Sequence, residues 1–108
     1  MPKHALETLT ETMFYILMAL QKRPMCGIDA SVYIEEKTKG RVKLGPATLY
    51  TILRKFEKEK YIEETEVEGR KRTYRITESG KNAYQEELKR LEHCVLDAYS
   101  EREESHET

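Results

Sequence analysis

The chain has 108 residues, of which 36% are charged and 38% apolar, and its formal net charge is -1. This length predicts one domain, and the modest apolar fraction predicts a thin core of the kind that small chains often supplement by forming oligomers. No apolar run approaches the roughly 20 residues that cross a bilayer, and the chain does not open on a basic-then-apolar leader, so we expect a cytoplasmic protein.

The first predicted helix begins near Thr8 or Thr10 and ends before Pro24, because the residue before a proline is disfavoured in a helix. Its apolar residues recur at helical spacing and spread over more than one face. A surplus apolar face on a small domain indicates a second partner, such as a dimer mate. The predicted interface residues on this helix are Leu9, Met13 and Leu17.

The second predicted helix starts near Ile28 or Asp29 and ends near Lys39. Gly40 follows at the position where a helix commonly ends in the left-handed conformation. The spacing therefore predicts a short helix that is followed by a turn.

The third predicted helix carries the most informative pattern. It begins at Pro46, since the missing N–H of a proline would be unpaired at the first helical position in any case. Leu49, Ile52, Leu53 and Phe56 form an apolar stripe that should face inward. The opposite side presents small, hydroxyl and cationic side chains, which suit base edges and phosphates. The predicted DNA contacts there are Ala47, Thr48, Tyr50, Thr51 and Lys55. A plain amphipathic surface helix is the alternative.

A hairpin is predicted from Tyr61 to Ile76. Glu68 and Gly69 should supply its turn, because glycine accepts a positive φ at little cost. Three successive cations at or just past the tip are predicted to contact phosphates, with an ordinary solvated loop as the alternative. These cations are Arg70, Lys71 and Arg72.

The last predicted helix starts after Thr77, which suits an N-cap, and it carries apolar residues at alternating spacings of four and three. This seam predicts packing across a dimer, with packing inside the monomer as the alternative. Its predicted interface residues are Leu88, Leu91, Val95 and Ala98. Residues 101–108 are acidic and lack apolar side chains, which predicts a disordered tail.

Positive charge is concentrated in the middle of the chain. Residues 37–75 hold twelve Lys/Arg against six acids, whereas residues 76–108 hold four against nine. The cations therefore gather on the segment that would face DNA, although a mixed solvated surface could also produce this pattern.

Enzyme chemistry finds no support in the sequence, which contains neither a glycine-rich phosphate loop nor a readable nucleophile–base arrangement, and no cofactor is expected. Cys26 and Cys94 are too few for a disulfide framework. His93 and Cys94 are adjacent on a predicted helix and would point in different directions, so the sequence does not favour a metal site.

Three short motifs carry a family resemblance. Residues 44–50 read Leu-Gly-Pro-Ala-Thr-Leu-Tyr, residues 25–27 read Met-Cys-Gly, and residues 73–80 read Thr-Tyr-Arg-Ile-Thr-Glu-Ser-Gly. Together they resemble the PadR family of bacterial transcriptional regulators over roughly residues 10–100. The family carries Gly/Ser-Pro-x-Thr-Leu-Tyr, Met-Tyr-Gly and Tyr-Tyr-x-Leu-Thr-x-x-Gly at these places. The short C-terminal part resembles the branch with a single long helix after the wing.

The resemblance implies a dimeric winged-helix repressor whose first and last helices build the dimer and, in some members, enclose a small aromatic molecule. Cys26 replaces the usual aromatic residue, Phe56 stands where leucine is common, and tryptophan is absent, so an indole sandwich for a flat ligand is not available. The aromatic candidates for a ligand site are Phe14, Tyr15 and Tyr99.

The sequence thus predicts a mainly α fold with a small β-hairpin. A winged helix-turn-helix region occupies residues 1–77, a dimerisation helix 78–100, and a disordered tail 101–108. We expect a dimeric repressor that binds a near-palindromic DNA operator under the control of a small aromatic molecule or another signal. The alternatives are a winged-helix module that binds only proteins and a thiol-based sensor.

Overall fold

Four helices and three short strands follow one another along residues 9–107, the part of the chain that the computed structural model describes, with side chains described through Glu103. Their bounds are α1 (Glu11–Lys22), β1 (Met25–Cys26), α2 (Gly27–Lys37), α3 (Pro46–Lys58), β2 (Ile62–Glu68), β3 (Lys71–Ile76) and α4 (Glu78–Glu107). This confirms the predicted mainly α fold with a small hairpin. None of the described helices is long and apolar enough to cross a membrane.

Two threonines begin helices as the sequence predicts. The Thr10 hydroxyl accepts a hydrogen bond of 3.1 Å from the backbone N–H of Met13, and the Thr77 hydroxyl accepts one of 3.1 Å from that of Gly80. Each bond satisfies a donor that a helix leaves free in its first turn. The other predicted start of α1, Thr8, lies outside the described residues.

The connection between α2 and α3 is held by the hydroxyl of Thr38. This hydroxyl donates to the carbonyl oxygen of Ile34 at 2.9 Å and accepts from the backbone N–H of Val42 at 3.0 Å. The chain reverses through Lys39 and Gly40, whose φ values are 53° and 80°. These two left-handed residues form the turn after α2, and the turn sets the direction of α3 relative to α2.

The core lies between α1, α2, the inner face of α3 and the buried side of the sheet. The four stripe residues predicted on α3 are all buried, and Phe56 has no exposed surface. Three residues predicted at a dimer interface also belong to this core, namely Leu9, which precedes α1, and Met13 and Leu17 within it. Because α1 contacts α2, β3 and α4, its broad apolar surface is covered within one chain. These three residues are therefore not available as a dimer surface, contrary to the prediction.

The three strands form one antiparallel sheet in the order β1-β3-β2. Strand β1 was not predicted, because two residues are too short to show a period. The hairpin turn lies one residue later than predicted, since Glu68 pairs with Lys71 and the loop is Gly69–Arg70. Gly69 has a φ of 62°, which fits the first loop position of a type II′ turn.

A bulge interrupts the hairpin at Thr65. Glu64 pairs with Tyr74, but the next pair is Glu66 with Thr73. A single extra residue reverses the face on which the following side chains lie. The outer half of the wing therefore has a different pattern of faces from the one that an uninterrupted strand would give.

Helix α4 is fastened to the base of the wing at its first turn. The Thr77 hydroxyl donates to the carbonyl oxygen of Lys60 at 2.6 Å. The backbone N–H of Thr77 donates to the carbonyl oxygen of Tyr61 at 2.9 Å. At Gly80, an added Cβ would overlap the Tyr61 carbonyl oxygen and press on the Ile76 side chain. Only glycine allows this close approach without a backbone shift.

The two ends of α4 differ in burial. Tyr84, Leu88 and Leu91 pack against the core, whereas every residue from Glu92 to Glu103 is exposed. The helix continues past residue 100 to Glu107, through residues that the sequence predicts as a disordered tail. Glutamate and arginine are good helix formers, and no Gly or Pro follows Ser100 to end the helix.

Candidate nucleic-acid interface

The outward face of α3 is accessible along the length of the helix. The predicted contacts Ala47, Thr48, Thr51 and Lys55 are exposed, and Tyr50 keeps 38% of its surface. Leu49, Ile52 and Leu53 are buried, so the helix divides into an apolar side and a side of small, hydroxyl and cationic groups. The surface thus has the side chains that read base edges and hold phosphates.

A groove of ≈ 770 Å³ runs between this helix, the wing and the start of α2. Its lining combines cations, acids and two tyrosines. The lining residues are Cys26, Gly27, Ile28, Asp29, Tyr50, Arg54, Glu57, Arg70, Lys71, Arg72 and Tyr74. The structure thereby brings the three predicted wing cations together with one side of α3.

The three wing cations differ in whether they form a salt bridge. The Arg72 guanidinium lies 3.2 Å from a carboxylate oxygen of Glu64. Arg70 and Lys71 form no salt bridge with any residue that the structure describes. Two full positive charges at the tip are therefore available to an anion, while the third already has a partner.

Two parts of this groove are not among the predicted DNA contacts, although Arg54 belongs to the face of α3 that the sequence predicts to be outward. Arg54 lies one helical turn after Tyr50 and reaches the groove, a position that the i, i+4 spacing could have indicated. The start of α2 is the other part. Its N-cap residue, Cys26, makes no side-chain capping bond, so this side chain leaves the first-turn amides of α2 uncapped.

Gly27 explains how the start of α2 comes so close to α3. A Cβ at this position would lie 3.2–3.3 Å from side-chain atoms of Leu53, Leu49 and Tyr50. Such contacts are tighter than ordinary packing, so glycine lets the two helices meet at the floor of the groove. The Met-Cys-Gly motif thus shapes the groove through its last residue.

Tyr74 forms part of the groove wall from within the sheet. Burial raises the pKa of its hydroxyl, and the nearby Glu57 carboxylate acts in the same direction. The hydroxyl therefore stays protonated at neutral pH and adds no negative charge to the groove.

Arg41 links the turn before α3 to α1. Its guanidinium donates to the Glu11 carboxylate at 3.0 Å and to the Tyr15 hydroxyl at 3.1 Å. These bonds raise the pKa of Arg41, with the Tyr15 hydroxyl as the larger cause. Tyr15 therefore has a defined role in fixing the helix-turn-helix geometry.

The three aromatic ligand candidates are not brought together in one chain. Phe14 is buried and stacks on Tyr84 with ring centroids 4.8 Å apart. Tyr99 is 52% exposed and lies under the Arg102 guanidinium at 5.2 Å. Fifteen residues of helix separate Tyr84 from Tyr99, a rise of roughly 22 Å. A site that uses all three would need a second subunit.

The two cysteines also occupy different surfaces. Both are free, Cys26 buried in the groove floor and Cys94 exposed on α4. Within the described residues, no group of three or more His, Cys, Asp or Glu side chains is arranged to hold a metal ion.

This combination of a helix-turn-helix, a wing and a cation-lined groove defines a winged-helix regulator. The sequence model of the "Transcriptional regulator PadR-like family" matches residues 16–86, well over half of the chain. The chain therefore belongs to the PadR-like family of transcriptional regulators, as its motifs predicted.

Solved structures of regulators are similar to the chain. A transcriptional regulator from Clostridium thermocellum is 28% identical with a TM-score of 0.73, and the match covers 82% of this chain and 89% of that one. Bacillus subtilis PadR, solved in complex with operator DNA, is 25% identical with a TM-score of 0.65. That match covers 73% of this chain but 47% of PadR, so the chain spans about half of that protein.

RosR from H. salinarum shares the fold, with 21% identity, a TM-score of 0.67 and coverage of 87% of this chain and 96% of that one. No curated protein shows significant sequence similarity to the chain.

Proposed function

We propose that the protein is a dimeric repressor that binds an operator in double-stranded DNA through the outward face of α3 and the tip of the wing. The observation that carries this proposal is the exposure of the α3 hydroxyl and cationic groups beside a groove that contains Arg70 and Lys71, neither of which forms a salt bridge with a described residue. The similar PadR of Bacillus subtilis has been solved with operator DNA, which supports the same use here.

The exposed α3 residues differ in size and charge, and they would make different contacts with DNA. Ala47, Thr48 and Thr51 are short and exposed, so they let the helix approach base edges closely in the major groove. Tyr50 and Lys55 reach further and hold phosphates, which fixes the register of the helix on the duplex.

The groove holds the DNA backbone between α3 and the wing. Arg54 supplies positive charge from the helix side, and Arg70 and Lys71 supply it from the wing. The uncapped start of α2 would add backbone donors at the floor of the groove, where the helix dipole also favours an anion.

The second copy of the chain binds along the far half of α4. Val95, Leu96 and Tyr99 are 50%, 62% and 52% exposed, and they lie in residues 92–103 of α4, where every side chain is exposed. Such an arm would be only marginally helical alone, and a second arm would bury its apolar side chains. Ala98 is exposed beside them, whereas Leu88 and Leu91 are largely used within the monomer.

Regulation would act through the distance between the two reading helices. In the dimer, the two copies of α3 would enter major grooves about one DNA turn apart, which requires a near-palindromic operator. A small aromatic molecule that moves α4 would change this distance, because α4 is bonded to the base of the wing. A coupling of about 1–3 kcal/mol would change operator affinity by roughly 5- to 150-fold.

Charge removal at the wing tip tests the DNA-binding surface. Arg70→Ala with Lys71→Ala should weaken binding to a mixed-sequence 20-base-pair duplex and flatten its salt dependence, because each lost phosphate contact lowers the log–log slope by about 0.9. Lys81→Ala with Lys89→Ala removes the same charge from exposed positions on α4 and serves as the matched control. Fluorescence anisotropy at several KCl concentrations measures both quantities.

Equal salt slopes for the two double variants would reject the wing as a phosphate contact. If wild-type protein failed to bind any duplex at low salt, a winged-helix module that binds only proteins would become the better account.

A further inference from the structure

The first strand of the wing is strongly acidic, although the wing is the element expected to approach DNA. Four glutamates lie along β2, opposite the cations of β3: Glu63, Glu64, Glu66 and Glu68. Two of them are committed to salt bridges, Glu63 with Arg75 and Glu64 with Arg72. The wing therefore carries its own anionic partners for Arg72 and Arg75.

The Glu64–Arg72 bridge lies on the side of the wing that faces α3. In an antiparallel pair, directly opposed residues share a face and alternate residues return to it. Glu64 is opposite the buried Tyr74, and Arg72 is two residues from Tyr74, so all three lie on one face. Arg72 and Tyr74 also line the groove.

The bulge at Thr65 leaves one acid on this face instead of two. In an uninterrupted ladder, Glu66 would lie opposite Arg72. The extra residue shifts Val67 into that position and pairs Glu66 with Thr73 on the other face. Glu64 is thus the single β2 carboxylate that Arg72 meets on the groove side.

We propose that Glu64 is a specificity-determining residue, because its carboxylate competes with DNA phosphates for Arg72. This inference rests on the proposed DNA-binding function. A phosphate must approach closely enough to replace an existing charge-assisted hydrogen bond of 3.2 Å before Arg72 can contribute to binding. A well-fitted operator achieves this, whereas loosely held duplex leaves Arg72 with Glu64. The net effect is weaker non-specific binding, and hence a larger ratio of specific to non-specific affinity.

The two partners are placed for such an exchange. The side chain of Glu64 is 25% exposed and that of Arg72 is 58% exposed. The acid is therefore held against the sheet, while the longer cation extends into solvent. Arg72 can turn to a phosphate without moving Glu64.

Two charge-matched variants separate this competition from a change in net charge. Glu64→Gln frees Arg72, and Glu66→Gln removes the same charge from a neighbouring glutamate that forms no salt bridge with any described residue. Anisotropy titrations of a mixed-sequence 20-base-pair duplex between 50 and 200 mM KCl compare them. We expect Glu64→Gln to tighten binding by roughly 3- to 10-fold and to steepen the log–log slope by about 0.9 per protomer.

Glu66→Gln should change the salt slope little. Adding Arg72→Ala to Glu64→Gln should return both the duplex affinity and the salt slope towards the wild-type values. Thermal unfolding by circular dichroism verifies that each variant is folded. Equal effects of the two glutamine variants, or a Glu64→Gln gain that survives the loss of Arg72, would overturn the inference while duplex binding itself stood. Failure of the wild type to bind duplex at low salt would overturn the proposed function as well.

Discussion

The far half of α4 (residues 92–103, the arm) and the rest of the described chain (the body) differ in whether their apolar side chains are buried. In the body, the apolar stripe of α3 is buried, and Phe56 is fully enclosed. In residues 92–103 of α4, every side chain is exposed, including Val95, Leu96 and Tyr99. The apolar side chains of the body therefore have partners in the core, whereas those of the arm are exposed and are the surface that the proposed dimer would cover.

The largest expected effect separates the two regions by stability. Phe56→Ala should lower the free energy of unfolding by about 3–5 kcal/mol, because it opens a cavity in the core of the body. Tyr99→Ala removes a ring of similar size from the arm and should change the stability of the monomer by less than about 0.5 kcal/mol. Urea unfolding at low micromolar concentration measures both. Similar losses for both variants would contradict the division into body and arm.

The next effect concerns association. Leu96→Asp places a charge in the proposed interface and should weaken the dimer by at least about 100-fold, since an unpaired charge is costly to bury. Asn82→Asp adds the same charge at an exposed position near the start of α4 and is the control. Sedimentation velocity would show monomers for the first variant only. A dimer of unchanged affinity would place the interface elsewhere.

A smaller effect is expected where α4, which carries the arm, joins the wing. Gly80→Ala should destabilise the protein by about 1–3 kcal/mol, because its methyl group would collide with the Tyr61 backbone. Gly45→Ala has no atom within 4 Å of the new Cβ, so it should cost no more than about 1 kcal/mol, the usual effect of alanine at an N-cap. Thermal unfolding of both variants makes the comparison. An unaffected Gly80→Ala protein would show that α4 is not held tightly against the wing.

The smallest effect appears at alkaline pH and belongs to the body. Burial raises the pKa of the hydroxyls of Tyr61, Tyr74 and Tyr84 above the ordinary value of 10.0. The unfolded chain loses these protons first, so their contribution is complete below about pH 10 and is lost as the pH rises through the folded values. Tyr84→Phe keeps the stacked ring and should make the decline between pH 9 and 11 shallower in urea titrations. An identical decline would exclude Tyr84 as a contributor.

The sequence predicted the elements whose signals are local. The start of α1 near Thr8 or Thr10, the Thr77 cap, the proline start of α3 and its buried stripe each depend on a few neighbouring residues, and the structure has the start at Thr10 together with the other three. The outward position of the predicted α3 contacts follows from the same periodicity.

The features that could not be predicted from the sequence depend on contacts between residues that are far apart in the chain. The period of α1 shows that Leu17 is on an apolar face, but it does not show that α2, β3 and α4 together cover the helix. Strand β1 exists because β3 pairs with it, and the bulge at Thr65 appears only in the pairing of two strands. The groove likewise requires α2, α3 and the wing to meet.

The most direct test of the DNA-binding surface is an amide chemical-shift titration of the wild-type protein with a mixed-sequence duplex. The largest shifts are predicted at Thr48, Thr51 and Gly69, on the outward face of α3 and at the wing tip, with little change in residues 92–103. Shifts confined to α4, with the α3 and wing signals unmoved at saturation, would contradict the account.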